Sequence, residues 1–339
     1  MAGLSVLVVN AGSTSLKLSA VEDDDSSAAV DSLAVAPDEV TAVAHRVVHG
    51  GARFREPVLI DDDVLRELER LSELAPLHNA PALKAIQEAR RVLPEVPHVA
   101  VFDTAFHATI PEVAYTYALP SRWREEWGIR RYGFHGLSVA WAAERVPVPR
   151  LVVCHLGGGC SVTAVLDGRS VDTTMGFSPL EGVPMATRAG TIDPEILLYL
   201  QRHERAATDE LEQALEHESG LLALGGSAHV EELEALSEPR AELALSVFCY
   251  RIAAAVAAMT SALEGMDALV FTAGVGEGSA LVREQVCRRL GFLGVELDLG
   301  ENGRAEPDAT ISAAASTVQV LVVRAREDVV AARAARELV

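Results

Sequence analysis

Along this chain short apolar runs alternate with small polar turns and with longer stretches of helical periodicity, the pattern of an α/β protein. Val8 and Val9 enter the polar turn 10–15, and residues 16–21 leave it as a second strand. Val152 and Val153 enter a second small-residue turn at Gly157, Gly158 and Gly159, and residues 161–165 leave it in the same way. The two segments align without a gap at an offset of 144 residues, down to Ser19/Thr163, Ala20/Ala164 and Val21/Val165. A looser pair, 98–104 and 267–273, predicts two buried strands that each open into a small-residue loop, and extends the repeat. Amphipathic helices are expected over 61–74 (with Ile60, Leu65, Leu68 and Leu71 on one side), 208–218, 231–236, 240–263 and 327–338. The pattern reads as two related α/β domains, 1–147 and 148–326, joined near Pro147-Val148-Pro149, with the C-terminal helix 327–339 completing the first.

Composition narrows the class. Hydrophobic residues make up 49% and charged residues 23% of 339, which excludes wholesale disorder. A net charge of −20 argues against nucleic acid and anionic membranes as partners. Four cysteines without a CxxC pair fit a reducing cytosol, and the first nine residues lack the basic segment of a signal peptide. The most membrane-like stretch, 252–263, is too short to span a bilayer. A soluble cytoplasmic protein is expected. The acid runs 22–25 and 61–63 read as solvated surface rather than metal sites.

Three turns carry candidate chemistry. A Ser/Thr/Gly turn between strands offers backbone N–H groups and hydroxyls to an anion. The segment 10–17 (NAGSTSLK) adds one of only three asparagines, Asn10, and one of only two lysines, Lys17. The segments 155–161 (HLGGGCS) and 271–277 (FTAGVGE) make two further cradles. None matches the GxxxxGK[ST] phosphate loop or a GxGxxG fingerprint. Together they favour a nucleotide or phosphate ligand. His45 and His49, four apart, lack a third metal ligand, and Arg46 taken alone could equally be an ion-pair residue.

With 45–51 (HRVVHGG), 76–79 (PLHN), 102–107 (FDTAFH), 131–136 (RYGFHG) and 172–194 (DTTMGFSPLEGVPMATRAGTIDP) added, eight ordered motifs make the chain resemble the acetate kinase family of acetate, propionate and butyrate kinases, within the actin-like superfamily. The resemblance implies two duplicated actin-like (RNase H-like) ATPase domains with an interdomain active-site cleft. The first would be the carboxylic-acid side and the second the nucleotide side. It implies reversible in-line phosphoryl transfer between ATP and acetate, with Mg²⁺ (or Mn²⁺) as cofactor, and a homodimer. Arg46 resembles the residue that grips the acid, Arg188 the one that stabilises the transferring phosphoryl group, and His135 the one that hydrogen-bonds it. Asp103 resembles the metal-linked carboxylate, with Asn10 and Glu327 as further metal-side residues. Val48, Leu77, His78, Phe134 and Pro179 match the acid pocket. Ser13, Lys17, His155, Gly157, Gly158, Gly159, Gly274 and Gly276 match the nucleotide side.

Three departures qualify this. The segment 18–44 is shorter than the family's. Gly158 stands where acetate kinases carry Asn, although butyrate kinase relatives share HLGGG. His229-Val230-Glu231 replaces an Asp-x-Arg signature near the adenosine, which predicts weak discrimination among nucleotides. Propionate, butyrate or pyrophosphate as substrate, or a non-catalytic actin-like protein, are the other readings.

Overall fold

The structure, a computed structural model, describes residues 5–11, 16–33, 40–72 and 76–339, without the side chains of 76–78. The chain divides into two compact units: Met1–Thr109 with Phe134–Trp141 and Arg326–Val339, and Ile110–Gly133 with Ala142–Ala325.

The first unit is a six-stranded mixed sheet of β1 (Ser5–Ala11), β2 (Leu16–Val21), β3 (Ser27–Ala29), β4 (Val40–Val47), β5 (Val58–Leu59) and β6 (His98–Phe102), in the order β3-β2-β1-β4-β6-β5. β1, β4 and β6 are parallel neighbours, and the β1–β2 hairpin is antiparallel. Period-two alternation splits the side chains between faces. Leu7, Val9, Val43, Ala100 and Phe102 belong to apolar clusters that include Ile86 and Ala89 of the helix Pro76–Val92 and Leu68 and Leu71 of the helix Asp62–Leu71. The second of these helices starts where the sequence signals it, Asp61 accepting from the Val64 N–H at 2.8 Å. Glu327–Arg336 packs against β1, β4 and β6 and buries Val329, Ala331, Ala332 and Ala335. Asp25 ties that helix down through an ion pair to Arg333, so the run 22–25 is more than solvated surface.

The second unit repeats the plan with β7 (Arg150–Leu156), β8 (Cys160–Leu166), β9 (Arg169–Thr173), β10 (Ala268–Thr272), β11 (Ala309–Thr310) and β12 (Gln319–Val322), in the order β11-β12-β10-β7-β8-β9. Two expectations change here. By position in the sheet, β10 answers to β4 and β6 answers to β12, so 98–104 and 267–273 are not counterparts. Both read alike because any buried parallel strand running into a small-residue loop has the same local pattern. The gap-free offset of 144 also fails: the closing pairs Ala11↔Leu16 and Leu156↔Cys160 leave four and three residues between them. β7 therefore runs one residue further than the alignment allows. The helix Pro239–Ala262 lies against β7, β8 and β9, with Leu245, Phe248, Ile252, Val256 and Met259 buried at helical spacing. At 24 residues and a mean hydropathy of 1.7 it is long and apolar enough to cross a bilayer, unlike the shorter stretch read from sequence, and half of that apolar stretch is buried in the fold.

Candidate functional site

The register of the first sheet builds a polar centre. Asn10 stands opposite Arg46, and Arg46 opposite Val101, two residues before Asp103. Alternation puts Asn10, Arg46 and Asp103 on one face at the carboxyl ends of three parallel strands, where open α/β sheets bind ligands. Arg46 donates from Nε to Asp103 Oδ1 at 2.9 Å, from Nη2 to Oδ2 at 2.5 Å and from Nη1 to Asn10 Oδ1 at 3.0 Å. Glu327, the first residue of its helix, brings a carboxylate within 3.7 Å of Arg46 Nε. Burial opposes the Arg46 charge, but the Asp103 and Glu327 carboxylates outweigh it and hold its pKa above the usual arginine value. Burial pushes the Glu327 carboxyl up, against the pull of Arg46. Lys17 pairs with Asn10 across the hairpin, and its side chain is exposed.

The opposite face carries imidazoles. His45 Nε2 lies 2.9 Å from His98 Nδ1 in a stacked pair, and His98 Nε2 lies 3.0 Å from Leu93 O. With Nε2–H of His98 donating to that carbonyl, His45 donates through Nε2. His49 instead accepts from the Gly51 N–H and meets Phe134 edge-on at 5.4 Å. The two histidines four apart therefore share no site.

His135 sits half-buried just before the helix Gly136–Arg145, at φ 60°, a left-handed conformation costly for a residue with a Cβ. Gly136 follows it with its N–H on Asp103 O at 2.9 Å, and a Cβ there would meet that oxygen at 2.1 Å. Only glycine lets this turn close on Asp103. Phe134 is buried, and Val48 is half-buried just past the end of β4. Ser13 and the side chains of Leu77 and His78 lie outside the described residues.

In the second unit His155 is paired across β7 with Ser161 on one side and Thr272 on the other. This brings the loops after β7 and β10 together: a Cβ on Gly157 would lie 3.6 Å from the Ala273 Cβ. Gly158 and Gly274 are exposed and would meet nothing within 4 Å, so space does not demand glycine at either. Gly159 is half-buried and Gly276 buried beneath Phe271. Glu231 is exposed in the first turn of the helix Val230–Ala235, a position favourable for an acid in its own right. Arg188 Nε lies 3.0 Å from Glu216 Oε2, and its Nη1 donates to Pro179 O at 3.3 Å.

Sequence reasoning missed several partners. Arg131 donates to Glu181 at 3.0 Å and to the Thr174 and Met175 carbonyls at 3.0 and 3.1 Å, while the Tyr117 hydroxyl donates to Glu181 and accepts from Phe177 N–H. These bonds set the course of 174–177, just before Pro179. Burial, and then the Glu181 contact, push the Tyr117 hydroxyl pKa up, so it stays a donor. The Thr272 hydroxyl, at the end of β10, is buried without a partner among the described residues. No sequence signal marked Glu216 or Glu181 beyond their place in long acidic or motif segments. A cavity of about 590 Å³ in this unit, lined by Arg131, Glu181, Thr191, Ser219, Arg251 and Met259, contains none of the candidate residues.

Comparison with known proteins gives a consistent picture. The profile of the Acetokinase family matches residues 27–333. The chain is 44% identical over 313 residues to an acetate kinase of Carboxydothermus hydrogenoformans, covering 89% of this chain and 79% of that one. It is 47% identical over 308 residues to a propionate kinase of Citrobacter rodentium, covering 87% and 76%. Among solved structures, a propionate kinase from Francisella tularensis superposes with a TM-score of 0.93 at 32% identity, covering 99% of this chain and all of that one. The Porphyromonas gingivalis acetate kinase gives 0.88 at 31% identity with the same coverage.

Proposed function

The chain belongs to the acetokinase family, two duplicated actin-like domains in one carboxylate-phosphorylating kinase, and on that premise we propose that it transfers a phosphoryl group reversibly between ATP and acetate or propionate. The observation that supports this most directly is the Asn10–Arg46–Asp103–Glu327 cluster, an arginine fork with one carboxylate at a strand end and another at a helix start. A carboxylate substrate needs a planar, always-charged donor, and Arg46 is one. Its Nε and Nη2 are both taken by Asp103, whose carboxylate occupies the fork that a substrate carboxylate would use.

The family implies Mg²⁺, with Mn²⁺ as a substitute, and the donor set fits it. Asp103 and Glu327 supply carboxylate oxygens and Asn10 an amide oxygen, the hard ligands that a Mg²⁺ retaining waters and phosphate oxygens takes from a protein. When bound, the ion would neutralise charge on the phosphate oxygens. Arg46 would hold the acid's carboxylate for attack, and Arg188 would meet charge developing on the group in flight. His135, held in its strained turn against Asp103, would donate to that group. Val48, Leu77, His78, Phe134 and Pro179 would bound the acid. Ser13, Lys17, His155 and the glycines 157–159, 274 and 276 would offer donors to the nucleotide's phosphates. We further place the protein in the cytoplasm as a homodimer, with Leu243 and Tyr250, exposed on the helix Pro239–Ala262, as candidate contacts.

A hydroxamate assay for acyl phosphate, run over ATP, GTP, pyrophosphate and polyphosphate against acetate, propionate and butyrate with Mg²⁺, tests the reading. ATP with acetate or propionate is expected to turn over fastest. Activity with pyrophosphate alone would overturn the donor, and no acyl phosphate under any pairing would overturn the reaction.

A further inference from the structure

Arg188 sits on a segment, 185–188, that is stitched to the end of one helix and the start of the next. The Thr187 hydroxyl donates to the Glu216 carbonyl at 2.7 Å, the Ser219 N–H to Thr187 O at 2.9 Å, and the Leu221 N–H to Met185 O at 2.9 Å. Gly220, at φ +64°, makes this fit possible: a Cβ there would lie 2.1 Å from Met185 O and 2.7 Å from Arg188 O. The same helix, Thr208–His217, presents the Glu216 carboxylate to Arg188 Nε at 3.0 Å, with 17% of the arginine side chain and 13% of the glutamate exposed. Pro179 O takes Nη1 at 3.3 Å, and the Met185 sulfur lies 3.8 Å from the same nitrogen. Among the described residues Nη2 makes no hydrogen bond.

We propose that Glu216 is a positioning residue for phosphoryl transfer: it orients the Arg188 guanidinium so that Nη2 stays presented for the charge developing on the transferring group. This rests on the assignment of Arg188 to that group. A guanidinium is charged at every accessible pH, so a carboxylate partner is not needed to keep it protonated. What the partner supplies is orientation. An unanchored arginine would have to be ordered within each catalytic cycle, and a misplacement of about 1 Å costs on the order of a hundredfold in rate. Glu216 also offsets part of the Arg188 charge, so its loss should not weaken ground-state binding of phosphate.

The test is a double-mutant cycle on the full chain. Glu216→Ala should lower kcat roughly 10–100-fold while the KM values for acid and nucleotide stay within about threefold. Glu216→Gln, which keeps the length and an oxygen, should recover most of that loss. Glu212→Ala, removing an exposed acid from the same helix, should leave kcat unchanged. In an Arg188→Ala background, Glu216→Ala should have no further effect, because it acts through the arginine. If Glu216→Ala lowers kcat by the same factor in both backgrounds, or leaves kcat within threefold of wild type while Arg188→Ala is inactive, Glu216 does not position Arg188. If Arg188→Ala itself keeps wild-type kcat, the assignment of Arg188 fails first, and this inference goes with it.

Discussion

In the first unit Arg46 is gripped from three elements, with all three of its nitrogens engaged by Asp103, Asn10 and Glu327. In the second, Arg188 is held at Nε by one carboxylate and at Nη1 by one carbonyl, and it keeps Nη2 open. Two arginines of similar exposure are thus prepared differently. One is saturated by internal partners; the other is anchored at Nε and Nη1, with no hydrogen bond from Nη2 among the described residues. The loops differ the same way. Gly136 is forced by close approach to Asp103 O, whereas Gly158 and Gly274 face open space. Under the proposed function, a carboxylate at Arg46 would exchange with Asp103, whereas a phosphoryl group at Arg188 would add beside its existing partners.

The sharpest way to break this contrast is Arg188→Ala. An arginine on transferring phosphoryl charge is worth about 10³–10⁵ in rate, so kcat should fall by that order with an unchanged circular dichroism melt. A variant retaining more than about a tenth of wild-type kcat would remove Arg188 from the reaction. Arg46→Ala should act on the other axis. The KM for the acid should rise about a hundredfold, since charge-assisted hydrogen bonds contribute about 1.5–3 kcal/mol. Urea unfolding should also show a loss of about 3–5 kcal/mol, because Asp103 is left buried and unpaired. An unchanged acid KM would show that Asp103, not substrate, is the fork's only partner.

A pH experiment probes the buried imidazoles of the first unit. Burial lowers the pKa of His107 to about 4, opposed by its bond to Phe134 O at 2.8 Å. An imidazole neutral in the folded state and near 6.5 when unfolded leaves the unfolded state binding more protons as pH falls below about 6.5. Stability should therefore drop by about 3 kcal/mol from His107 between pH 7 and pH 4. His45 and His98, both lowered first by burial, add to the loss in the same direction. His107→Gln should flatten the profile measured by urea unfolding; an equally steep profile would place the titration elsewhere.

Smaller effects probe specificity. Val48→Ala removes two methyl groups from a half-buried position beside Arg46, and the butyrate-to-acetate ratio of kcat/KM should rise about tenfold. A constant ratio would take Val48 out of the acid pocket. Gly158→Asn meets no steric obstacle and adds one amide to an open loop, so the KM for ATP should fall several-fold, within the 0.5–1.5 kcal/mol of one hydrogen bond. A raised KM would mean that the bare backbone at 158 is what the phosphates need.

Much of this was legible beforehand. The β1–β2 and β7–β8 hairpins and the helix beginning at Glu327 follow from alternation and turn chemistry, which act over a few residues; Asp61, read as the first helical residue, is instead the cap of Asp62–Leu71. Asn10 stands out by its scarcity beside a small-residue turn, Arg46 and Asp103 only by their family motifs, and the fold does bring the three together. What was misread was equivalence. The segments 98–104 and 267–273 look alike locally, but neighbours in the sheet make β4 the counterpart of β10.

The sequence by itself determined the β1–β2 and β7–β8 hairpins and the buried strands β6 and β10, because a period of two and an apolar run are properties of adjacent residues, whereas the short strands β3, β5, β11 and β12 carry too few residues to show one. Only the tertiary structure decided which partners these elements meet. Arg46 and Asp103 are 57 residues apart, Tyr117 and Glu181 are 64 apart, and Arg188, in an irregular segment, meets Glu216 near the end of the helix Thr208–His217. Pairings of this kind depend on the order of strands and connections across the whole domain, which a window of adjacent residues does not contain.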